Sequence, residues 1–118
     1  MDIQIFGAGS IGNHLSNAAR NLNHNVEVID ISLNALKRMK NDIYPSRYGH
    51  WDNEIKLTPY EQAISEKKKV DMIFIGTPPE NHVELAKQAL EKSPKLILIE
   101  KPLCPPFSSD LKDLLKLK

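Results

Sequence analysis

Gly7, Gly9 and Gly12 stand in the order Gly-x-Gly-x-x-Gly, in the stretch Gly7-Ala8-Gly9-Ser10-Ile11-Gly12. A short β-rich run, residues 3–6, precedes them, and residues with helical spacing follow. In that context the pattern is a phosphate-binding elbow. The first glycine permits the tight turn, the second lets a pyrophosphate approach the backbone, and the third lets helix pack closely on strand. The N–H groups of Ser10 and Ile11, at the positive end of the helix dipole, then face the phosphates. A glycine-rich turn without a ligand is the alternative, and it is disfavoured because three glycines at this spacing weaken a plain turn.

Asp30 lies 18 residues beyond Gly12, at the end of a second strand-like run, residues 26–29. It fits the acidic residue that accepts hydrogen bonds from an adenosine ribose; a capping or turn aspartate is the alternative. A carboxylate there repels a 2′-phosphate by on the order of a few kcal/mol at an effective dielectric near ~20. No arginine occupies position 31 or 32, which hold Ile31 and Ser32, so NAD is expected over NADP. Lys37 and Arg38, on the following helix, are the nearby residues that could reverse that preference.

The elements that must position these residues alternate along the chain. Residues 3–6, 26–29, 54–57, 70–75 and 95–99 have strand character, although Gln4 breaks the first. Between them, Ile11, Leu15, Ala18, Ala19 and Leu22 repeat as on one helix face. Ser32 can cap a helix bearing Leu33, Leu36, Lys37 and Met39. Thr58-Pro59 resembles an N-cap followed by proline at the first helical position, opening a helix to about Lys68. Pro79-Glu80 opens another helix with Val83, Leu85, Ala86, Ala89 and Leu90 inward, and Ser108 or Ser109 caps a last one with Leu111, Leu114 and Leu115. Residues 41–53 are the least periodic, and Tyr44, Tyr48 and Trp51 there suggest a satellite core under a loop. Strands separated by helices argue for parallel pairing, which needs crossovers. The expected fold is α/β: a doubly wound, Rossmann-type, mostly parallel sheet of five to six strands with helices on both faces.

The bulk properties agree. The 118 residues suit one domain, 41% hydrophobic and 26% charged. A formal net charge of +1 draws the chain neither to nucleic acid nor to anionic lipid. Lys67, Lys68 and Lys69 are expected to form a solvated helix end. No signal peptide and no membrane-length apolar run is present, so a cytoplasmic location is expected. A single cysteine, Cys104, excludes an internal disulfide and is expected to be a bland, partly buried thiol. His14, His24, His50 and His82 do not cluster with ligating spacing, so no metal is expected. Neither a G-x-S-x-G nor a P-loop motif occurs, which argues against a hydrolase or an ATPase.

Two further clusters follow strands, TPPENH at residues 77–82 and EKPL at residues 100–103. In a doubly wound sheet ligands bind outside the carboxyl ends of the strands, so both converge on the glycine elbow. With the run TPPENHVELAKQAL…LILIEKPL and His14-Leu15 after the glycines, the chain resembles the cofactor half of the glucose–fructose oxidoreductase (Gfo/Idh/MocA) family, from Ile3 to about Leu115. The resemblance implies that Lys101 lies beside the nicotinamide and the reacting carbinol as the catalytic residue. An ammonium there hydrogen-bonds the substrate oxygen as hydride moves. It further implies that Thr77 and Pro78 wall the ribose and nicotinamide, that Glu100 lies near the nicotinamide ribose, and that Pro102 has a raised chance of a cis peptide. His82 is expected to order its loop or cap the helix rather than to do chemistry.

Two departures stand out. Ser93-Pro94-Lys95-Leu96 replaces the family's usual entry to the fifth strand, and the second, substrate-binding domain that the family carries would follow Leu115. The chain is therefore expected to be a single dinucleotide-binding domain over residues 1–118, belonging to an oxidoreductase that moves hydride between NAD and a sugar- or polyol-like hydroxyl, and to turn over little alone. Its small-molecule substrate would need that second domain. A stand-alone NAD-sensing module is the alternative, in which Glu-Lys-Pro has no role; a fragment or truncated product is another. Leu111, Leu114, Leu115 and Leu117 form a stripe through which copies could self-associate.

Overall fold

The five strand-like runs pair into one parallel sheet. In this computed structural model, which describes residues 1–66, 68–78, 80 and 82–101, the strands are β1 (Asp2–Phe6), β2 (Asn25–Asp30), β3 (Lys56–Pro59), β4 (Met72–Ile75) and β5 (Leu96–Ile99). Their order is β3-β2-β1-β4-β5. Ile5 pairs with Val28 on one side and Phe74 on the other, which fixes β1 at the centre. The chain winds outward through β2 and β3, then returns across β1 to β4 and β5. Among the described residues the sheet is doubly wound with five strands, the lower end of the expected range.

The helices are α1 (Ser10–Asn21), α2 (Leu33–Arg38), α3 (Tyr44–Tyr48), α4 (Tyr60–Ser65) and α5 (His82–Leu90), with a π-helical turn at Met39–Ile43. The period-two alternation of the strands sorts the core into two clusters. Ile3, Ile5, Val26, Val28 and Phe74 pack with Leu36, Met39 and Tyr44 on the face of α1, α2 and α3. Phe6, Ile29, Ile73 and Ile75 pack with Ala63, Leu85, Ala86 and Ala89 on the face of α4 and α5.

Several sequence expectations need correction. The inner face of α1 is Gly12, Asn13 and Ser16, not the Ile11, Ala18 and Leu22 of the apolar repeat. Ile11 is 43% and Leu22 69% exposed. The helix lies too close to the sheet for larger side chains: a Cβ on Gly12 would stand 2.0 Å from the Gly7 carbonyl oxygen. Ser16 Oγ donates to the Gly12 carbonyl at 2.7 Å, so its burial leaves no stranded hydroxyl. Residues 41–48, part of the stretch 41–53 expected to be aperiodic, are helical throughout. Tyr44 is buried there with Tyr48 and Trp51 edge-on at 4.9 and 5.2 Å, and the three join the main core on the side of α1, α2 and α3 instead of forming the separate satellite core that was expected.

The third strand starts two residues late, at Lys56, and takes in Thr58 and Pro59. Thr58 is not an N-cap, because its hydroxyl donates to Glu27 instead, at 2.6 Å. The helix α4 ends at Ser65, so Lys68 does not prolong it; its ammonium lies 3.4 Å from Glu27. Gln4 does not break β1, since its side chain is buried and donates to Glu27 at 2.8 Å. Ser32 caps α2 as expected, accepting from the Ala35 amide at 3.1 Å. Pro102, Cys104 and the helix expected after Ser108 lie outside the described residues.

Candidate functional site

The strand order reverses between β1 and β4, and the crevice outside their carboxyl ends is where doubly wound sheets bind ligands. The glycine elbow leaves β1 at that point. Gly7 has φ +114°, a conformation that suits glycine alone, and its missing side chain lets the Gly76 carbonyl come to 2.8 Å of where a Cβ would be. Gly7 N donates to the Ile29 carbonyl at 2.8 Å, and Gly76 N to the Phe6 carbonyl at 2.8 Å. The ends of β1, β2 and β4 are thereby stitched under the elbow.

Gly9 is different. A Cβ built on it meets nothing within 4 Å. The space beside this backbone is open, as close approach by a phosphate requires. Behind the elbow, the amide nitrogen of Asn13 donates to the Ala8 carbonyl at 3.1 Å and to the Gly9 carbonyl at 2.7 Å. Two loop carbonyls are thus engaged on the inner side, and α1 starts at Ser10 with no acidic residue in its first turn. The helix dipole is left uncompensated at its positive end.

Asp30 ends β2 beside this loop. One carboxylate oxygen accepts from the Ala8 amide at 2.9 Å and the other from the Ser32 amide at 2.8 Å. The carboxylate is held by backbone on both sides, while each oxygen keeps acceptor capacity. It lines a cleft of about 530 Å³ with Gly7, Gly9, Ile31, Thr77 and Pro78. Ile31 is 76% exposed, an apolar side chain on the rim of that cleft. The Thr77 hydroxyl is buried and has no hydrogen-bond partner among the described residues. His82, buried at the start of α5, places its Nε2 2.6 Å from the Thr77 carbonyl. It orders this wall, which is one of the roles expected of it.

The structure therefore brings Gly7, Gly9, Asp30, Thr77 and Pro78 to one cleft. Ser10, Ile11 and Gly12 form the first turn of α1, next to the glycine elbow, with Gly12 buried. Glu100 and Lys101 follow β5 at the same sheet edge, where the Glu100 amide donates to the Ile75 carbonyl at 2.9 Å. They are not among the residues lining the cleft, and Lys101 is exposed. Ala35, Ile43 and Tyr60 line the cleft without having been singled out in the sequence, as does Leu85, expected only as an inward helix residue. Arg38 lines it too, as a position flagged only for a possible 2′-phosphate. Their signal was local: Ala35 and Arg38 sit three apart on α2, and Tyr60 opens α4.

The fit to a dinucleotide rests on two features of the chain, the open space at Gly9 and the unpaired Thr77 hydroxyl. Both suit a ligand carrying phosphates and hydroxyls. A parallel doubly wound sheet with a glycine elbow and an acidic residue ending β2 defines a dinucleotide-binding Rossmann domain. Comparison with known proteins agrees. The model of an oxidoreductase family with an NAD-binding Rossmann fold, Gfo/Idh/MocA, matches residues 1–118, and the chain belongs to that family.

Among solved structures, it is similar to a myo-inositol dehydrogenase from Corynebacterium glutamicum, with a TM-score of 0.63 and 26% identity over 88% of this chain and 28% of that one. It is also similar to an inferred oxidoreductase from Erwinia carotovora atroseptica, with a TM-score of 0.68 and 15% identity over 98% of this chain and 32% of that one. A methyltransferase from Podospora anserina bound to SAH shares the fold at a TM-score of 0.62 and 16% identity, over 96% of this chain and 56% of that one. No curated protein matches the chain. The chain spans about a third or less of the two oxidoreductases. Among the described residues no helix is long and apolar enough to cross a membrane, and no group of ligating side chains could hold a metal ion.

Proposed function

We propose that these residues form the cofactor half of a hydride-transfer oxidoreductase that uses NAD in preference to NADP and acts on a sugar- or polyol-like hydroxyl. The observation that carries this reading is Asp30, locked between the Ala8 and Ser32 amides at the mouth of the cleft. There it accepts hydrogen bonds from a ribose diol, while the elbow amides from Gly9 to Gly12 receive the diphosphate. The same charge disfavours a 2′-phosphate by on the order of a few kcal/mol, and Arg38 offsets part of that.

A bound nicotinamide dinucleotide supplies the hydride donor or acceptor. Thr77 and Pro78 wall its ribose and ring, with the Thr77 hydroxyl as a hydrogen-bonding group. Glu100 stands near the second ribose. Lys101, as in the family, holds the substrate oxygen and steadies its charge. Substrate must also be walled from water on the side away from the sheet. That wall is not built by the described residues. The inositol dehydrogenase supports a polyol-like substrate.

Calorimetric titration with NADH and NADPH tests the cofactor half of this proposal. NADH is expected to bind at least about tenfold more tightly, a difference of about 1.4 kcal/mol. Equal or tighter NADPH binding overturns the preference, and no binding of either overturns the function.

A further inference from the structure

Residues 39–48, most of them in the least periodic stretch of the sequence, form a helical arm laid along α1. Three side chains of α3 meet one stripe of α1. The Tyr44 hydroxyl donates to Asn17 Oδ1 at 3.3 Å, the Tyr48 hydroxyl lies 3.5 Å from His14 Nδ1, and Arg47 reaches Ser10. Ser10, His14 and Asn17 are spaced by four and three residues, so α3 follows one face of α1 up to its first turn. The π-helical turn at Met39–Ile43 sets the phase that points Tyr44 inward and Arg47 toward the glycine elbow. Such turns occur often at functional sites.

The grip of Arg47 on Ser10 has two points. Its Nη1 donates to the Ser10 carbonyl at 3.0 Å and its Nη2 to the Ser10 hydroxyl at 2.9 Å. Among the described residues Arg47 forms no salt bridge, in contrast to Arg20, which pairs with Asp52 at 2.8 Å. Arg47 is exposed, so its position is not explained by packing. An unpaired guanidinium is fixed against the first residue of α1, next to Gly9, whose missing side chain leaves open space. A dinucleotide brings a diphosphate to that turn. The partial charge of a helix end, about half an elementary charge, does not balance a diphosphate.

We propose that Arg47 is a diphosphate-binding residue, delivered to the phosphate end of the cleft by the α3 arm and held there by Ser10. This rests on the cofactor reading above and adds to the glycine elbow a charged group from the β2–β3 connection. With Ser10 holding two of its donors, the guanidinium turns its remaining N–H groups to phosphate oxygens.

The test uses the 118-residue chain, its R47Q and R47K variants, and three probes: NADH, ADP and adenosine. Thermal melting first establishes that both variants fold, as expected for an exposed side chain. R47Q is expected to bind NADH and ADP about tenfold or more weakly than the unsubstituted chain, while adenosine, which has no phosphate, binds the two alike. R47K, which keeps the charge, falls between. Raising salt weakens ADP binding to the unsubstituted chain more steeply than to R47Q. If the unsubstituted chain binds NADH and ADP and R47Q binds them equally well, this proposal falls and the cofactor reading stands. A loss in R47Q that is as large for adenosine as for ADP overturns it as well, since Arg47 then acts only through the fold. If the unsubstituted chain binds neither NADH nor ADP, the cofactor reading and this proposal fall together.

Discussion

Glu27 is a carboxylate in the middle of a central strand, 4% exposed, and replacing it with glutamine isolates what its charge contributes. Burial alone would push its carboxyl upward. Hydrogen bonds from the Thr58 hydroxyl and the Gln4 amide, with the ammonium groups of Lys68 and Lys56, outweigh burial and lower it from 4.5 to about 2. The contacts are short: 2.6 Å from Thr58, 2.8 Å from Gln4, and 3.4 Å from each lysine. Lys92 completes the cluster by donating to Gln4 Oε1 at 2.8 Å, and burial lowers its own pKa.

A carboxyl held at about 2 when folded and near 4.5 when unfolded contributes about 3 kcal/mol at neutral pH. Because the folded value is the lower one, that contribution is complete above pH 4.5 and is lost as pH falls toward 2. Denaturant unfolding of the native chain and of E27Q, from pH 7 to pH 3, measures it. E27Q is expected to be less stable by about 3 kcal/mol at pH 7, with the gap narrowing below pH 4.5. A gap that stays constant down to pH 3, or an E27Q chain as stable as the native one at pH 7, refutes the reasoning.

Other substitutions test the site's construction. Gly12→Ala puts a methyl group 2.0 Å from the Gly7 carbonyl oxygen, so α1 or the elbow must move. A stability loss on the order of 3 kcal/mol is expected by thermal melting, with NADH binding abolished. Asp30→Asn turns an amide donor toward the Ala8 or Ser32 amide that the carboxylate accepts from. It should cost about 1–3 kcal/mol and narrow the NADH-over-NADPH preference in paired titrations. Ser32→Ala removes the cap on the Ala35 amide and should cost about 1 kcal/mol in the same unfolding assay, without changing NADH affinity.

How legible these features were depends on how local their causes are. The glycine elbow and the Ser32 cap are each specified by a few neighbouring residues, and both stand where the sequence puts them. Parallel pairing followed from the spacing of five apolar runs. The face of α1 was misjudged because apolar periodicity assumes that burial goes with size. Here Gly12, Asn13 and Ser16 are buried by close approach to the sheet; the Asn13 NH2 group and the Ser16 hydroxyl are met within the loop and the helix, while Asn13 Oδ1 has no partner among the described residues. Gln4, Glu27 and Thr58 show the same limit from the other side. Each looks misplaced in its own strand, and each is explained only by partners more than 20 residues away. Thr58 also has the chemistry of an N-cap, and the long-range bond to Glu27 wins over the local one. Arg47 gave no signal, because its significance comes from the docking of α3 on α1. Lys101 and Glu100 came from family resemblance, and neither lines the cleft.

The most direct measurement is a backbone amide spectrum of the ¹⁵N-labelled chain recorded during titration with NADH. The amides of Gly9, Ser10 and Ile11 should move first and furthest, together with those of Asp30 and Thr77, as diphosphate and ribose take their places. If those resonances hold still while NADH binds elsewhere, or while it does not bind at all, the glycine elbow is not a dinucleotide site.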